Sequence, residues 1–137
     1  MVIVNNKRLG NSFEQELAQI FYKHGFWVHC FASKAAGQPV DLIACKNNVG
    51  VILDAKVCSD DVFDTARMEE NQRNSMMLFD YCGNSHTYYA LKMADDTIYI
   101  CSGMVLMMHR QEKRVLNRRD IEELGIPLDE WFRRCGI

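Results

Sequence analysis

The sequence has few of the features that divide a chain or send it into a membrane. Only two of its 137 residues are proline, Pro39 and Pro127, and it contains no internal repeat and no Pro- or Gly-rich linker. No apolar stretch approaches the ~20 residues of a membrane span, and the N-terminus is too short and polar for a secretory signal. We therefore expect one domain, residues 1–137, in the cytoplasm, with no membrane partner.

The cysteine pattern excludes two common kinds of site. The six cysteines are scattered, and no pair has the C-x-x-C spacing of zinc or redox motifs. Several lie in apolar stretches, as Cys45 and Cys101 do, where a thiol behaves as a small hydrophobe. We expect free thiols.

Charge is distributed unevenly, although the formal net charge is only -2. Acidic residues gather between 60 and 70, and basic residues gather between His109 and Arg119. A basic stretch of this kind is usually a solvated face, but on a protein that acts on nucleic acid it contacts the phosphate backbone.

Hydrophobic periodicity predicts an α/β protein. A helix is expected from a cap at Asn11 or Ser12 to a stop at Gly25, and a second helix from about residue 62 to 81. The other predicted elements are strands at 26–32, 40–45, 51–56, 87–92 and 97–101, a hairpin turn at 46–50, and short helices at 121–124 and 128–132 around a break at 125–127. This order is typical of a mixed sheet flanked by helices.

The chemically informative feature is a pair of charges on an otherwise apolar strand. Asp54 and Lys56 are two residues apart, so they project from the same face. Asp41 lies on the preceding predicted strand, where hairpin pairing can bring it within about 5 Å of Asp54. Two carboxylates this close repel unless a cation lies between them, and oxygen ligands favour Mg²⁺ or Mn²⁺. Glu14, near the start of the first helix, could complete the metal shell.

These residues resemble the PD-(D/E)XK nuclease superfamily, and in particular its Holliday junction resolvases of the RecU and archaeal types. The matching parts are Asp41 followed by Asp54-Ala55-Lys56, the helix start Gly10-Asn11-Ser12-Phe13-Glu14, the loop Ser33-Lys34-Ala35-Ala36-Gly37 and the stretch Glu69-Glu70-Asn71-Gln72. The resemblance implies a restriction-endonuclease-like core of order α-β-β-β-α-β-β with short C-terminal helices. It also implies a Mg²⁺-dependent endonuclease, for which Mn²⁺ can substitute, that cuts branched DNA as a homodimer in recombination and repair. The host cell would be bacterial, archaeal or phage-infected.

The resemblance assigns roles to particular side chains. The implied catalytic residues are Asp41, Asp54, Lys56, Glu14 and Gln72, the implied metal ligands are Asp41, Asp54 and Glu14, and the implied DNA contacts are Ser33, Lys34, Arg110, Lys113 and Arg114. Two departures stand out: Val40 separates Pro39 from Asp41, and the second carboxylate is Asp rather than Glu. Neither departure removes a carboxylate.

Other interpretations stay open. Asp54 and Lys56 could be edge-strand charges that block aggregation, and Glu14 could serve only the helix dipole. A VRR-type or restriction-like nuclease that cuts flaps or ordinary duplex would share the same residues. A catalytically inactive DNA-binding module is the alternative from a different functional class.

Overall fold

A six-stranded sheet forms the centre of the computed structural model, which describes residues 9–31 and 38–137, with backbone only for residues 9–11. The elements in chain order are α1 (Leu9–Lys23), β1 (Trp27–Cys30), β2 (Leu42–Lys46), β3 (Val49–Val57), β4 (Phe63–Asp64), a 3₁₀ turn (Thr65–Arg67), α2 (Glu70–Tyr81), β5 (Thr87–Lys92), β6 (Ile98–Ser102), α3 (Gly103–His109), β7 (Val115–Leu116), α4 (Arg118–Leu124), β8 (Gly125–Pro127) and α5 (Leu128–Arg134).

The sheet has the strand order β1-β2-β3-β5-β6-β8, and β4 and β7 form a separate two-stranded ribbon. Its pairs are antiparallel except β3 with β5, which is parallel. A parallel neighbour requires a crossover connection, and α2 lies in the one between β3 and β5. The expected α/β class, a mixed sheet flanked by helices, is confirmed.

Helices cover both faces of the sheet. Alternate residues of β3 point to opposite faces: Val51 and Leu53 belong to one hydrophobic cluster, and Ile52 belongs to the other. The first cluster includes residues of α1 and α5, and the second includes residues of α2, α3 and α4. Asp54 and Lys56 share the face of Ile52, so they lie on the side of the sheet that α2 and α3 cover.

The hairpin between β2 and β3 is tighter than the predicted five-residue turn. Lys46 pairs with Val49, and the two residues between them, Asn47 and Asn48, have φ values of 51° and 66°. Two positive φ values are typical of a type I′ turn, whose twist matches that of the paired strands. This turn sets the register that places Leu42 opposite Leu53.

The predicted helix from about residue 62 to 81 is wrong in its first half. Phe63 and Asp64 pair instead with Leu116 and Val115 of β7, and α2 begins only at Glu70. The Asp64 side chain caps the intervening 3₁₀ turn through the backbone N–H of Ala66. A local helical pattern cannot reveal a partner strand some 50 residues later, so long-range pairing decides this segment.

Smaller differences concern boundaries. The described α1 begins at Leu9, so Asn11 and Ser12 lie within its first turn and neither is the N-cap. The predicted break at 125–127 is the edge strand β8, which pairs with β6.

All six cysteines are free as expected, but only Cys58 and Cys101 are buried. Within the described ranges, no helix is long and apolar enough to cross a bilayer.

Candidate active site

The centre of the site is an ion pair on β3. Asp54 is fully buried at 0% exposure, and the Lys56 Nζ lies 3.2 Å from its Oδ2. The Lys56 side chain is 14% exposed, and its Nζ also lies 3.9 Å from a carboxylate oxygen of Glu69, just before α2. Neither oxygen of Asp54 accepts a hydrogen bond of regular geometry. A buried carboxylate in this state is costly, which makes a mere edge-strand role untenable for Asp54.

Asp41 lies directly before β2, not inside the strand, and is held firmly beside Asp54. Its backbone N–H donates to the Leu53 carbonyl at 3.1 Å, which continues the β2–β3 pairing by one step. Its Oδ2 accepts from the backbone N–H of Ala55 at 2.7 Å, and its Oδ1 accepts from the side-chain amide of Gln38 at 3.0 Å. The two carboxylates are therefore fixed side by side, as the hairpin argument predicts.

The electrostatics of Asp54 show how unfavourable this arrangement is without a further cation. Burial, and after it the negative charge of Asp41, raise the pKa of Asp54 from 3.8 to about 8. The positive charge of Lys56 opposes both effects. One ammonium group thus fails to compensate two adjacent carboxylates.

Glu14 faces the same charges from α1. Burial, followed by the charge of Asp41, raises the pKa of Glu14 to about 7, and Lys56 again opposes the shift. Cys30, at the end of β1, has a raised pKa caused by burial and then by the charges of Glu14 and Asp41. The Glu14 carboxyl on the first helix is therefore close enough for the charges of Asp41 and Lys56 to act on it.

The donor set suits a hard divalent cation. It consists of carboxylate oxygens, and the two on Asp54 accept no hydrogen bond of regular geometry from the protein. Within residues 9–31 and 38–137, no group of three or more His, Cys, Asp or Glu side chains is close enough to enclose a metal alone. Mg²⁺ typically takes one or two carboxylates and completes its shell with water or substrate oxygens. The residues present therefore fit such an ion.

Comparison with known proteins identifies the family. The family model described as archaeal Holliday junction resolvase (Hjc) matches residues 5–136. The chain belongs to the archaeal Holliday junction resolvase family. No curated protein matches it. Among solved structures, Hjc from the archaeal hyperthermophile Archaeoglobus fulgidus, a Holliday junction resolvase, is similar with a TM-score of 0.68 and 16% sequence identity, over 90% of this chain and 99% of that chain. At this identity the structural likeness establishes the fold alone.

Family membership confirms the function that the motif predicts. The resolvase is a structure-selective nuclease that cleaves DNA junctions, and nucleases of this family generally depend on divalent metal ions. Family membership therefore argues against a catalytically inactive DNA-binding module. The roles of individual side chains remain predictions.

The remaining predicted catalytic residue of the resolvase, Gln72, is placed near the site by α2. Its side chain is 3% exposed, and its Oε1 has no hydrogen-bond partner. Gln72 lies one helical turn from Glu69, which approaches Lys56. It thus lies on the sheet face that carries Asp54 and Lys56.

The predicted DNA contacts of the resolvase differ in whether they already form ion pairs within the protein. Ser33 and Lys34 lie outside the described residues. Lys113 forms an ion pair with Asp120 at 2.6 Å, and Arg114 donates two hydrogen bonds to Asp64, at 3.0 and 2.9 Å. Both are engaged within the protein, whereas Arg110, at the C-cap of α3, has no carboxylate partner in the part of the chain that the structure describes.

The structure also adds residues that the motif did not reveal. Gln38 holds Asp41, and its own carbonyl accepts from the Asn71 side chain at 2.6 Å. Tyr89 lies beside Asp54 on the parallel strand β5, fully buried and with an unpaired hydroxyl. Only the pairing of β3 with β5, 35 residues away, brings Tyr89 to the site.

Proposed function

We propose that this resolvase is a Mg²⁺-dependent endodeoxyribonuclease, a single domain over residues 1–137, that hydrolyses phosphodiester bonds at four-way DNA junctions. The observation that carries the metal proposal is Asp54. It is fully buried beside a second carboxylate, and neither of its oxygens accepts a hydrogen bond of regular geometry, although Oδ2 lies 3.2 Å from the Lys56 Nζ. Mn²⁺ should substitute, because it shares the preference for oxygen ligands.

Asp41 and Asp54 would hold the ion, and Glu14 would complete or tune its shell. When bound, a divalent cation there supplies positive charge that makes an attacking water more acidic and neutralises charge on the phosphate. Hydrogen bonds already hold Asp41 in place for this role. The Ala55 backbone N–H donates to its Oδ2, and the Gln38 side-chain amide donates to its Oδ1. The fixed backbone donor limits rotation of the carboxylate, which preorganises the site.

Lys56 would act on the water and on the phosphate. Its Nζ lies 3.2 Å from Asp54 and is little exposed, so its position is restricted by neighbours on β3 and by Glu69. An ammonium group there can hold the attacking water by hydrogen bonding and stabilise the negative charge that develops on the phosphoryl oxygens. Gln72 would support the arrangement from α2.

A cleavage assay tests this proposal. Labelled four-way junction, flap and linear duplex are incubated with Mg²⁺ and the wild type, Asp54→Ala or Lys56→Ala, with the exposed Arg133→Ala on α5 as control. We expect the two site variants to lose at least about 100-fold in rate and Arg133→Ala to match the wild type. Undiminished cutting by Asp54→Ala would sink the mechanism. Equal wild-type rates on linear duplex and junction would leave a nuclease without junction selectivity.

We also propose a homodimer, because two symmetric cuts in a four-way junction call for two active sites related by a two-fold axis. What supports it is an α2–α3 apolar surface, defined by Met77, Leu78, Tyr81, Val105 and Met108, whose side chains are between 42% and 87% exposed. Exposed apolar patches of this kind mark interaction surfaces. Sedimentation equilibrium should show a dimer for the wild type and a monomer for Leu78→Glu/Met108→Glu. A monomeric wild type at micromolar concentration would refute the proposal.

A further inference from the structure

Two arginines on the helices that cover β3 have no carboxylate partner in the part of the chain that the structure describes. Arg73 lies in the first half of α2, and Arg110 is the C-cap of α3. Among the residues that the structure describes, neither forms an ion pair, although seven of the other lysine and arginine side chains do so. A guanidinium group left unpaired near a nuclease centre is available to an anionic ligand.

The two arginines lie on helices that pack against each other on one face of the sheet. A Cβ on Gly103, the first residue of α3, would lie 2.6 Å from the Met76 Sδ of α2 and 3.4 Å from Thr87 at the start of β5. From this crossing point α3 leads to Arg110, and α2 leads back to Glu69, which approaches Lys56. Each path covers seven residues, about 10 Å along a helix axis. Both helices therefore pack on the sheet face that carries Asp54 and Lys56.

The charges of both arginines act on the Tyr89 hydroxyl. Burial, and then the charge of Asp54, raise the pKa of Tyr89 above its ordinary value, while the positive charges of Arg73 and Arg110 oppose the rise. Both arginines thus lie close enough to act on a hydroxyl that neighbours Asp54. Tyr89 itself is fully buried.

Arg73 is also oriented by the backbone. Its Nε donates to the Met68 carbonyl at 3.0 Å, which leaves its two terminal nitrogens for another partner. Planar guanidinium groups bind phosphate oxygens through two parallel hydrogen bonds. A side chain held at Nε loses less conformational entropy when it makes such contacts.

We propose that Arg73 and Arg110 form a phosphate-binding pair that holds a DNA phosphate next to the scissile one, on the β5 side of Asp54. The inference rests on the proposed function, because it assumes that the scissile phosphate lies at Asp54.

Binding in EDTA tests the pair without cleavage. The Kd of a fluorescent four-way junction is measured between 50 and 300 mM KCl for the wild type, Arg73→Ala, Arg110→Ala and Arg133→Ala. Arg133 lies on α5, which packs on the opposite sheet face, and its loss removes the same charge. We expect Arg73→Ala and Arg110→Ala each to weaken binding about tenfold and to lower the slope of log K against log [KCl] by ~1. Arg133→Ala should change neither quantity.

Neutral phosphate analogues then locate the contact. A methylphosphonate is placed at one phosphate at a time on both sides of the cut site, and each junction is bound by the wild type and by Arg73→Ala. At the phosphate that Arg73 contacts, the two losses should be non-additive, since either change removes the same interaction. At distant phosphates they should add. Additive losses at every position would overturn the proposed contact even if Arg73→Ala weakens binding.

The outcomes separate the two proposals. A wild type that binds junctions no better than linear duplex would contradict the junction-selective function. A wild type that prefers junctions, with Kd and salt slope unchanged in Arg73→Ala and Arg110→Ala, would contradict the phosphate-binding pair alone. Thermal melting of each variant shows whether a weaker Kd reflects loss of folded protein, and Arg73→Lys, which keeps the charge, should retain the salt slope while binding less tightly than wild type.

Discussion

Replacement of Asp54 by asparagine should stabilise this resolvase in the absence of metal. The carboxyl has a pKa of about 8 when folded and an ordinary value of 3.8 when unfolded. At 1.36 kcal/mol per pH unit, folding at pH 7 therefore carries a cost of about 4 kcal/mol at this one group. An asparagine carries no charge, although its buried amide without partners costs about 1–3 kcal/mol. We expect a net gain of about 1–3 kcal/mol for Asp54→Asn at pH 7.

The stability gained by Asp54→Asn should increase as the pH rises. Below pH 3.8 Asp54 is protonated in both states, so it costs nothing. Between pH 3.8 and 8 the unfolded chain releases the proton and the folded chain retains it, and the wild type loses stability by up to about 1.4 kcal/mol per pH unit. The difference between Asp54→Asn and wild type should therefore grow from pH 5 to pH 8 and level off above pH 8.

Urea unfolding in EDTA at pH 5, 6, 7 and 8 measures this difference. A second series with Mg²⁺ should raise the midpoint of the wild type and not that of Asp54→Asn, since only the carboxylate binds the ion in the folded state. A difference that is flat from pH 5 to pH 8 would refute the reasoning, as would an asparagine variant less stable than wild type at pH 8.

Three further changes give distinct outcomes. Because Asn48 has a φ of 66° in the β2–β3 turn, Asn48→Val should cost about 1–2 kcal/mol in urea unfolding, and Asn48→Gly should cost nothing; equal losses would contradict the type I′ turn. Gly125→Ala should cost about 2 kcal/mol, since its Cβ would lie 2.5 Å from the Cys101 Sγ and 3.0 Å from the Ile100 carbonyl; a neutral effect would show that β8 can shift freely. Burial raises the pKa of Glu14 to about 7, so the Mg²⁺ concentration for half-maximal cleavage should fall as pH rises from 6 to 8, and Glu14→Gln should remove part of that fall.

Local sequence patterns were sufficient where neighbours along the chain decide the structure. The apolar stripe of α1 and the alternation in β3 predict both elements, and they predict that Asp54 and Lys56 share a face. The hairpin between β2 and β3 is also predicted, from the Asn and Gly residues at 46–50, although its two-residue length is not. These features depend on contacts within some 15 residues, so they can be read without the tertiary fold.

Patterns failed where distant segments compete for the same residues. Phe63 and Asp64 fit the start of a helix, yet pairing with β7 draws them into a ribbon. Tyr89 has no signal of its own as a site residue. It reaches Asp54 only through the pairing of β5 with β3, which no local window contains.

By itself, then, the sequence predicted the chemistry of this protein: two carboxylates and a lysine at hairpin spacing on an α/β frame, with a resemblance to Holliday junction resolvases of the RecU and archaeal types. Only the tertiary structure decided the electrostatic state of that set. It buried Asp54 completely, fixed Asp41 on the Ala55 amide and brought α2 and α3 over the site. The physical reason is that residue types and local spacing are the same in the folded and the unfolded chain. Burial and the approach of distant charges exist only once the chain has folded.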